Sequence, residues 1–216
     1  MTAGGLFIAL EGGEGAGKST QGRLLAEALR ARGAEVVLTR EPGGTAGAEA
    51  IRALLLDAGG AGWGARAEAL LFAAARADHV ARLIRPVLAR GGVVICDRFL
   101  DSSRAYQGGG GGLEDADIRA LHAIGSEGLL PDITLLVEVP PAVAAARLAG
   151  RAAATAAGPD RIEQQGEAYH ARVAAAFARF AAEEPARFAR IDGTGDAQAV
   201  HARVLAALAP LLGAAA

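Results

Sequence analysis

The stretch GGEGAGKS at residues 12–19 decides the fold class of this chain. It fits the pattern G-x-x-x-x-G-K-[ST], the apolar run Leu6–Leu10 precedes it, and a helical pattern follows from Lys18. Glycines let the backbone curl until successive N–H groups face one anion, and the next helix adds the positive end of its dipole. A glycine-rich turn with a chance Lys-Ser pair is the alternative, and the flanking patterns disfavour it. The stretch therefore predicts a nucleoside triphosphate site.

Two residues of this loop have specific expected roles. Lys18, the only lysine of the chain, is expected to reach the β- and γ-phosphates of ATP, and the Ser19 hydroxyl is expected to bind Mg²⁺. The predicted ATP-binding residues of the loop are Gly12, Gly13, Glu14, Gly15, Ala16, Gly17, Lys18 and Ser19. The loop alone does not indicate which group receives the phosphate.

Apolar runs alternate with longer helical stretches along the chain, which predicts one α/β domain over residues 1–216. Continuous apolar runs are typical of a parallel sheet with helices on both faces. The predicted strands are Leu6–Glu11, Glu35–Thr39, Val93–Asp97, Ile133–Val139 and Phe188–Ile191. The predicted helices lie near Lys18–Arg32, Ala46–Leu56, Ala65–Arg90, Glu114–Ser126, Pro141–Ala149, Glu163–Glu183 and Ala197–Leu212. Together with the loop, this pattern indicates a P-loop NTPase fold with a five-stranded parallel sheet.

The composition of the chain indicates which classes of binding partner are not expected. The chain has 216 residues, a formal net charge of −2 and no basic tail, so neither nucleic acid nor an anionic membrane is the expected partner. The single cysteine, Cys96, excludes an internal disulfide and suits a reducing compartment. No uncharged apolar run approaches the roughly 20 residues of a membrane helix. We expect a cytoplasmic protein.

A second metal-binding carboxylate is expected at the end of another apolar strand. Val93–Asp97 supplies one, and Arg98 follows it with a planar guanidinium that can clamp a phosphate through two parallel hydrogen bonds. Asp97 is therefore expected to hold Mg²⁺, directly or through water, while Arg98 binds a phosphate. A solvated ion pair at the end of a strand is the alternative interpretation.

Four further segments resemble the thymidylate kinase family, and they occur in the family's order. They are DRF at 97–99 with Ser102, Ser103 and AYQG at 105–108, TREPGG at 39–44, FAAAR at 72–76 and DRIE at 160–163. The resemblance extends from Ile8 to about Glu163. It implies a fold of the nucleoside monophosphate kinase type and transfer of the ATP γ-phosphate to dTMP, with Mg²⁺ as cofactor.

The resemblance also assigns residues to the acceptor, dTMP. Phe72 would stack on the thymine and Arg76 would bind its O4, and residues four apart share one helix face. Without the resemblance, Phe72 would be interpreted as core and Arg76 as surface. Tyr106 would lie beside C2′ of the sugar, and Arg98 would hold the acceptor phosphate. The other implied acceptor residues are Glu11 near the 3′-hydroxyl, Pro42, Ser102, Ser103 and Gln107, with Arg40, Glu41 and Arg52 close by.

The loop positions Gly13–Ala16 carry no basic side chain, although family members take a catalytic arginine from the P-loop or from a lid. The resemblance therefore implies a lid at residues 148–162, with Arg151 as the catalytic residue. It also implies that Arg161 and Arg147, which directly precedes the lid, bind ATP. Alternatively, Arg147 and Arg151 only complement the dipole at a helix C-terminus. The glycine run at 108–112 replaces an arginine that family members often carry, and residues 152–158 make an unusually bland lid.

Two other functions stay open on sequence alone: a kinase for another pyrimidine monophosphate, and a non-catalytic ATP-binding module. The resemblance also implies a homodimer, and the small-residue helix Ala65–Ala89 is a candidate interface. His79, His122, His170 and His201 show no metal-ligand spacing and no acidic partner, so each is expected to serve packing. His79, three residues after Arg76, is the one nearest the predicted site.

Overall fold

A computed structural model describes residues 4–57, 62–154, 161–162 and 164–213. Its centre is one parallel sheet with the strand order β2-β3-β1-β4-β5. The strands are β1 (Leu6–Glu11), β2 (Val36–Arg40), β3 (Val93–Asp97), β4 (Ile133–Glu138) and β5 (Phe188–Asp192). The predicted parallel five-stranded sheet is thereby confirmed, and each strand begins and ends within one residue of its predicted bounds.

The strand order brings the two predicted phosphate-binding elements together. β1 and β3 are neighbours in register, with Leu10 opposite Asp97. The loop that follows β1 and the Asp97–Arg98 pair that ends β3 therefore leave the sheet side by side, at the carboxyl edge where open α/β sheets bind ligands.

Helices cover both faces of the sheet. They are α1 (Lys18–Ala31), α2 (Ala46–Leu56), α3 (Ala65–His79), α4 (Arg85–Ala89), α5 (Leu100–Ser103), α6 (Asp115–Ser126), α7 (Pro141–Ala154), α8 (Glu167–Glu183) and α9 (Ala197–Gly213). Successive residues of β1 show why its run is continuously apolar: Ile8 packs in a cluster with Leu25 and Val204, whereas Phe7 packs on the other face with Ile84. No helix in the described ranges is both long and apolar enough to cross a bilayer.

Two π-helical segments depart from the predicted elements. The predicted helix Ala65–Arg90 widens over Val80–Ile84, immediately before α4, whose first turn contains Pro86. Proline lacks an N–H and its ring crowds the preceding turn, so a local change of hydrogen-bond register before it lets the helix continue. We refer to Arg104–Gly110, which continues from α5, as the acceptor π segment. Its last three residues, 108–110, belong to the glycine run at 108–112 of the sequence.

Candidate active site

The loop at residues 12–19 curls as its glycines predict. Gly12, Gly15 and Gly17 have φ angles of 132°, 72° and 99°, in the left-handed region that glycine adopts without steric cost. A Cβ at Gly12 would overlap the carbonyl oxygen of Val137. The loop is therefore pressed against the end of β4, where only glycine fits.

Lys18 lies inside this loop at the first position of α1. Its Nζ donates to the carbonyl oxygens of Gly12, at 3.0 Å, and Gly13, at 2.8 Å. Burial, together with the nearby charge of Arg98, lowers the pKa of Lys18 from its ordinary value. The ammonium group is thus held at the mouth of the loop, against two carbonyls that an anion could replace.

Ser19 and Asp97 are in direct contact across the β1–β3 junction. Ser19 Oγ donates to Asp97 Oδ2 at 2.6 Å. A hydroxyl and a carboxylate oxygen are both hard donors of the kind Mg²⁺ prefers, and Mg²⁺ is commonly held by one or two carboxylates plus phosphate oxygens. The two side chains predicted to hold the metal are therefore adjacent and chemically suited to it.

Arg98 projects from the end of β3 toward the loop. Its Nη1 donates to Gly12 O at 3.2 Å and to Ser102 Oγ at 3.1 Å, and its Nη2 forms an ion pair with Glu14. The guanidinium carbon lies 4.9 Å from the centre of the Tyr106 ring, close enough for a cation–π contact. The Glu14 carboxylate is therefore the anion that this guanidinium contacts in the structure.

Glu11 accepts hydrogen bonds from the turn that follows β3. It is fully buried, and it accepts hydrogen bonds from Phe99 N at 2.8 Å, Ser102 N at 3.0 Å and Ser102 Oγ at 2.6 Å. Burial, and next the charge of Asp101, raise the pKa of Glu11 to about 7. Glu11 itself does not line the cavity, whereas its partner Ser102 and the loop residue Glu14 do, and the predicted contact of Glu11 with the 3′-hydroxyl stays a prediction.

A cavity of about 210 Å³ opens beside the loop. Lys18, Ser19 and Asp97 line one part of its wall. Apart from Glu11, every residue that the resemblance assigned to dTMP also lines it, as do Arg40, Glu41 and Arg52. Three of the predicted ATP-binding residues, Glu14, Lys18 and Ser19, therefore face the same space as the predicted acceptor residues.

Arg76 is buried in that wall with only 3% of its surface exposed, so the interpretation as a surface residue is wrong. Its Nε donates to Glu41 Oε2 at 2.7 Å, and its Nη2 donates to Ser103 Oγ at 2.8 Å and Phe99 O at 3.1 Å. The other Glu41 oxygen lies 3.0 Å from His79 Nδ1, which supplies the acidic partner that the sequence did not reveal. Glu41 thus fixes the direction of the guanidinium.

Arg147 lies against the outer side of the phosphate loop. Its Nη1 donates to Ala16 O at 3.1 Å, and its Nη2 donates to Gly193 O at 2.9 Å. The side chain therefore joins the loop to the segment after β5, next to the predicted ATP site.

Arg161 contacts residues of α2 and α3 rather than the phosphate loop, and its predicted role at ATP stays a prediction. Its Nη2 forms an ion pair with Glu68 of α3, and its Nε donates to Leu55 O at 3.2 Å. The next residue, Ile162, lines the cavity. Sequence reasoning missed Glu68, although its position four residues before Phe72 on the same helix face was a usable signal.

Arg151 belongs to the last turn of α7, and its side chain lies outside the described part of the structure. Residues 155–160 of the predicted lid are also outside the described residues. The assignment of Arg151 as the catalytic arginine stays a prediction.

Known proteins resemble the chain over almost its whole length. The family model for thymidylate kinase matches residues 10–204. The thymidylate kinase of Rhizorhabdus wittichii is 62% identical over 96% of this chain and 99% of its own, and that of Gluconobacter oxydans is 51% identical over 96% of each. The crystal structure of thymidylate kinase from Ehrlichia chaffeensis superposes with a TM-score of 0.75, at 34% identity over 95% of this chain and 99% of that one.

Proposed function

The chain belongs to the thymidylate kinase family, and we propose how the residues around its cavity transfer the ATP γ-phosphate to dTMP, which yields ADP and dTDP. One observation carries the proposal. One cavity is lined both by the proposed donor residues Lys18, Ser19 and Asp97 and by Arg98, Phe72 and Arg76 on the acceptor side. Ser19 and Asp97 are hydrogen-bonded to each other. Donor and acceptor groups can therefore meet inside a single space.

On the donor side, Lys18 exchanges the carbonyls of Gly12 and Gly13 for the β- and γ-phosphate oxygens of ATP, while the loop amides bind the remaining oxygens. Mg²⁺, held by Ser19 and Asp97, supplies charge neutralisation for the phosphates when it is bound. Arg147 stabilises the loop from outside through its backbone carbonyls.

On the acceptor side, Arg98 leaves Glu14 to hold the dTMP phosphate in line with the γ-phosphate. Phe72 stacks on the thymine, Arg76 donates to its O4, and Tyr106 excludes a ribose 2′-hydroxyl. Further contacts with the nucleotide come from Pro42, Ser102, Ser103 and Gln107, which line the same cavity.

The reaction needs no covalent intermediate, because positioning and electrostatic stabilisation account for phosphoryl transfer in enzymes of this kind. Arg151 supplies the cation that stabilises charge on the migrating group, and residues 148–162 act as a lid on a single P-loop domain. The protein works in the cytoplasm as a homodimer and does not bind nucleic acid, in keeping with its net charge of −2 and its single cysteine.

A coupled ADP-release assay tests the proposal, with ATP, Mg²⁺ and each monophosphate in turn: dTMP, dUMP, UMP, CMP, AMP and GMP. We expect dTMP to give the highest kcat/KM by a wide margin. The control is Lys18→Ala, prepared in the same way, which should lower kcat by about 10²- to 10³-fold because it removes one preorganised charge. Preference for another monophosphate would refute the acceptor assignments. A fully active Lys18→Ala variant would refute the donor site.

A further inference from the structure

Glu68 joins three segments of the acceptor side through one carboxylate. It lies in α3 with 9% of its surface exposed. Its Oε1 accepts a hydrogen bond from Gln107 Nε2 at 2.8 Å, and its Oε2 pairs with Arg161 Nη2. Helix α3, the acceptor π segment and the chain at residues 161–162 are thereby tied together at a point immediately behind the cavity wall.

The carboxylate fixes the orientation of the Gln107 amide. An ionised carboxylate only accepts hydrogen bonds, so the amide nitrogen of Gln107 has to face Glu68. The amide oxygen is left as the part of this group that can accept from a ligand. Gln107 lines the cavity and is only 2% exposed, so it has little freedom to turn over. A pyrimidine that carries an N–H on its ring is a suitable donor to that oxygen.

Arg161 holds the carboxylate in this position. The Arg161 and Glu68 side chains are 16% and 12% exposed, so water screens the pair only partly. The bond from Arg161 Nε to Leu55 O anchors the guanidinium to the end of α2. Because Ile162 follows directly and lines the cavity, the same anchor also sets one apolar part of the wall.

We propose that Glu68 and Arg161 are positioning residues for the acceptor site: they hold Gln107 and Ile162 in place for the dTMP base and contribute nothing to ATP binding. This inference rests on the proposed function, in which the cavity takes dTMP. It assigns Arg161 to the opposite substrate from the one that the sequence motif suggested. The two assignments predict different kinetic effects.

The test compares KM for dTMP at saturating ATP with KM for ATP at saturating dTMP, in Arg161→Gln, Glu68→Leu and Glu68→Gln. We expect Arg161→Gln to raise KM for dTMP roughly tenfold, the effect of losing one hydrogen bond to a charged group, with KM for ATP within about twofold of wild type. Glu68→Leu should have at least as large an effect, and the double variant should be no worse than Glu68→Leu. Glu68→Gln keeps an oxygen acceptor for Gln107 and should lose less.

Arg90→Gln is the matched control, because it removes an exposed arginine–glutamate pair with Glu35 far from the cavity. It should leave both KM values unchanged. If Glu68→Leu does not fold, Arg161→Gln carries the test alone. A higher KM for ATP with an unchanged KM for dTMP would return Arg161 to the donor site and overturn the proposal. Equal changes in KM for dTMP and KM for ATP, or no change in either constant, would also overturn the proposal.

Calorimetric titration of dTMP without ATP separates this inference from the proposed function. A tenfold weaker dTMP affinity in Arg161→Gln supports the inference whatever the turnover. If the wild type binds dTMP but does not phosphorylate it, only the proposed function fails. If dTMP does not bind to the wild type at all, both fail.

Discussion

Arg98 has a φ of 70°, a left-handed conformation that costs a non-glycine residue roughly 1–2 kcal/mol. The strain directs the guanidinium out of β3 and toward the phosphate loop, where it meets Glu14. Glu11 offsets the strain by accepting hydrogen bonds from the backbone nitrogens of Phe99 and Ser102. A buried carboxylate thus stabilises the turn that presents Arg98, the arginine proposed to bind the acceptor phosphate.

His122 shows how strongly burial can determine a charge state. It is 4% exposed, its Nε2 lies 2.7 Å from Leu129 O, and its ring packs edge-on against Phe99 at 5.6 Å. Its Nδ1 has no hydrogen-bond partner among the described residues. Burial, and next the charge of Arg76, lower the pKa of His122 to about 4. The folded protein therefore keeps this ring neutral.

A neutral, buried His122 should make the protein less stable as the pH falls. Below pH 6.5, the ordinary pKa of histidine, this side chain binds a proton in the unfolded chain. In the folded chain it stays neutral down to about pH 4. Stability is therefore lost from about pH 6.5 downward, by about 2 kcal/mol at pH 5. We expect His122→Gln, whose amide can still donate to Leu129 O, to lack this loss.

Urea denaturation of both proteins at pH 7.5 and pH 5 measures the effect. The decrease in unfolding free energy between these two pH values should be about 2 kcal/mol larger for the wild type, while the effects of carboxylates cancel in the comparison. Equal pH dependence in the two proteins would mean that His122 is protonated in the folded state.

The sequence predicted the site residues that lie in short local motifs, but not those whose role depends on a contact with a distant part of the chain. Lys18, Ser19, Asp97 and Arg98 were identified because each lies in a short motif at the end of an apolar strand. Glu68 was missed because its partner Gln107 lies 39 positions away, in a segment whose path the sequence did not reveal. Arg161 lay within a recognisable motif that suggested a role at ATP, whereas its contact with Glu68 supports the proposed role on the acceptor side. Only three-dimensional contacts decide such roles.

At the scale of elements, the acceptor π segment depends on close packing against α8. A Cβ added at Gly109 would lie 2.6 Å from Ala176 Cβ and 3.3 Å from Arg172 O. Glycine is therefore needed for helix α8 to approach the segment that carries Tyr106 and Gln107. Glycine disfavours helices, and tertiary packing overrides that preference in this run.

Gly109→Ala should destabilise the protein and weaken the acceptor site together. Relief of the overlap has to push α8 away or move the segment, at a cost of about 1–3 kcal/mol. For a chain of this size that corresponds to a decrease in Tm of roughly 2–4 °C for each kcal/mol. KM for dTMP should rise because Tyr106 and Gln107 move with the backbone. Calorimetry and steady-state kinetics give the two measurements.

Gly150→Ala is the matched control for that substitution. Gly150 lies within α7, and a Cβ there would have nothing within 4 Å. Alanine should therefore raise stability by about 0.5–1 kcal/mol through its higher helix propensity. If Gly109→Ala were as stable as Gly150→Ala, the close approach of α8 would not be what requires glycine at position 109.

At the scale of the whole molecule, the sheet was more predictable than its strand order. Continuous apolar runs that alternate with helices indicate parallel strands, because both faces have to be buried. The pattern of one strand does not identify its neighbours, so the placement of β3 between β2 and β1 came only from the structure. That order brings Asp97 to Ser19, and the pair proposed to hold Mg²⁺ therefore depends on long-range topology as well as on local motifs.

The apolar surface of α3 and α6 leads to the last prediction. Leu70 and Ile124 are 56% and 82% exposed, on two helices that pack against each other. Exposed apolar side chains on adjacent helices are typical of an interface, and a stable one buries about 1,200–2,000 Å². We expect the wild type to sediment at twice the mass of the chain and Ile124→Glu to sediment as a monomer, because a charge cannot be buried there unpaired.

Leu211→Glu, at an exposed position on α9 over the opposite face of the sheet, is the matched control and should stay dimeric. A monomeric wild type, or an Ile124→Glu variant that dimerises as tightly as the wild type, would exclude this surface as the interface.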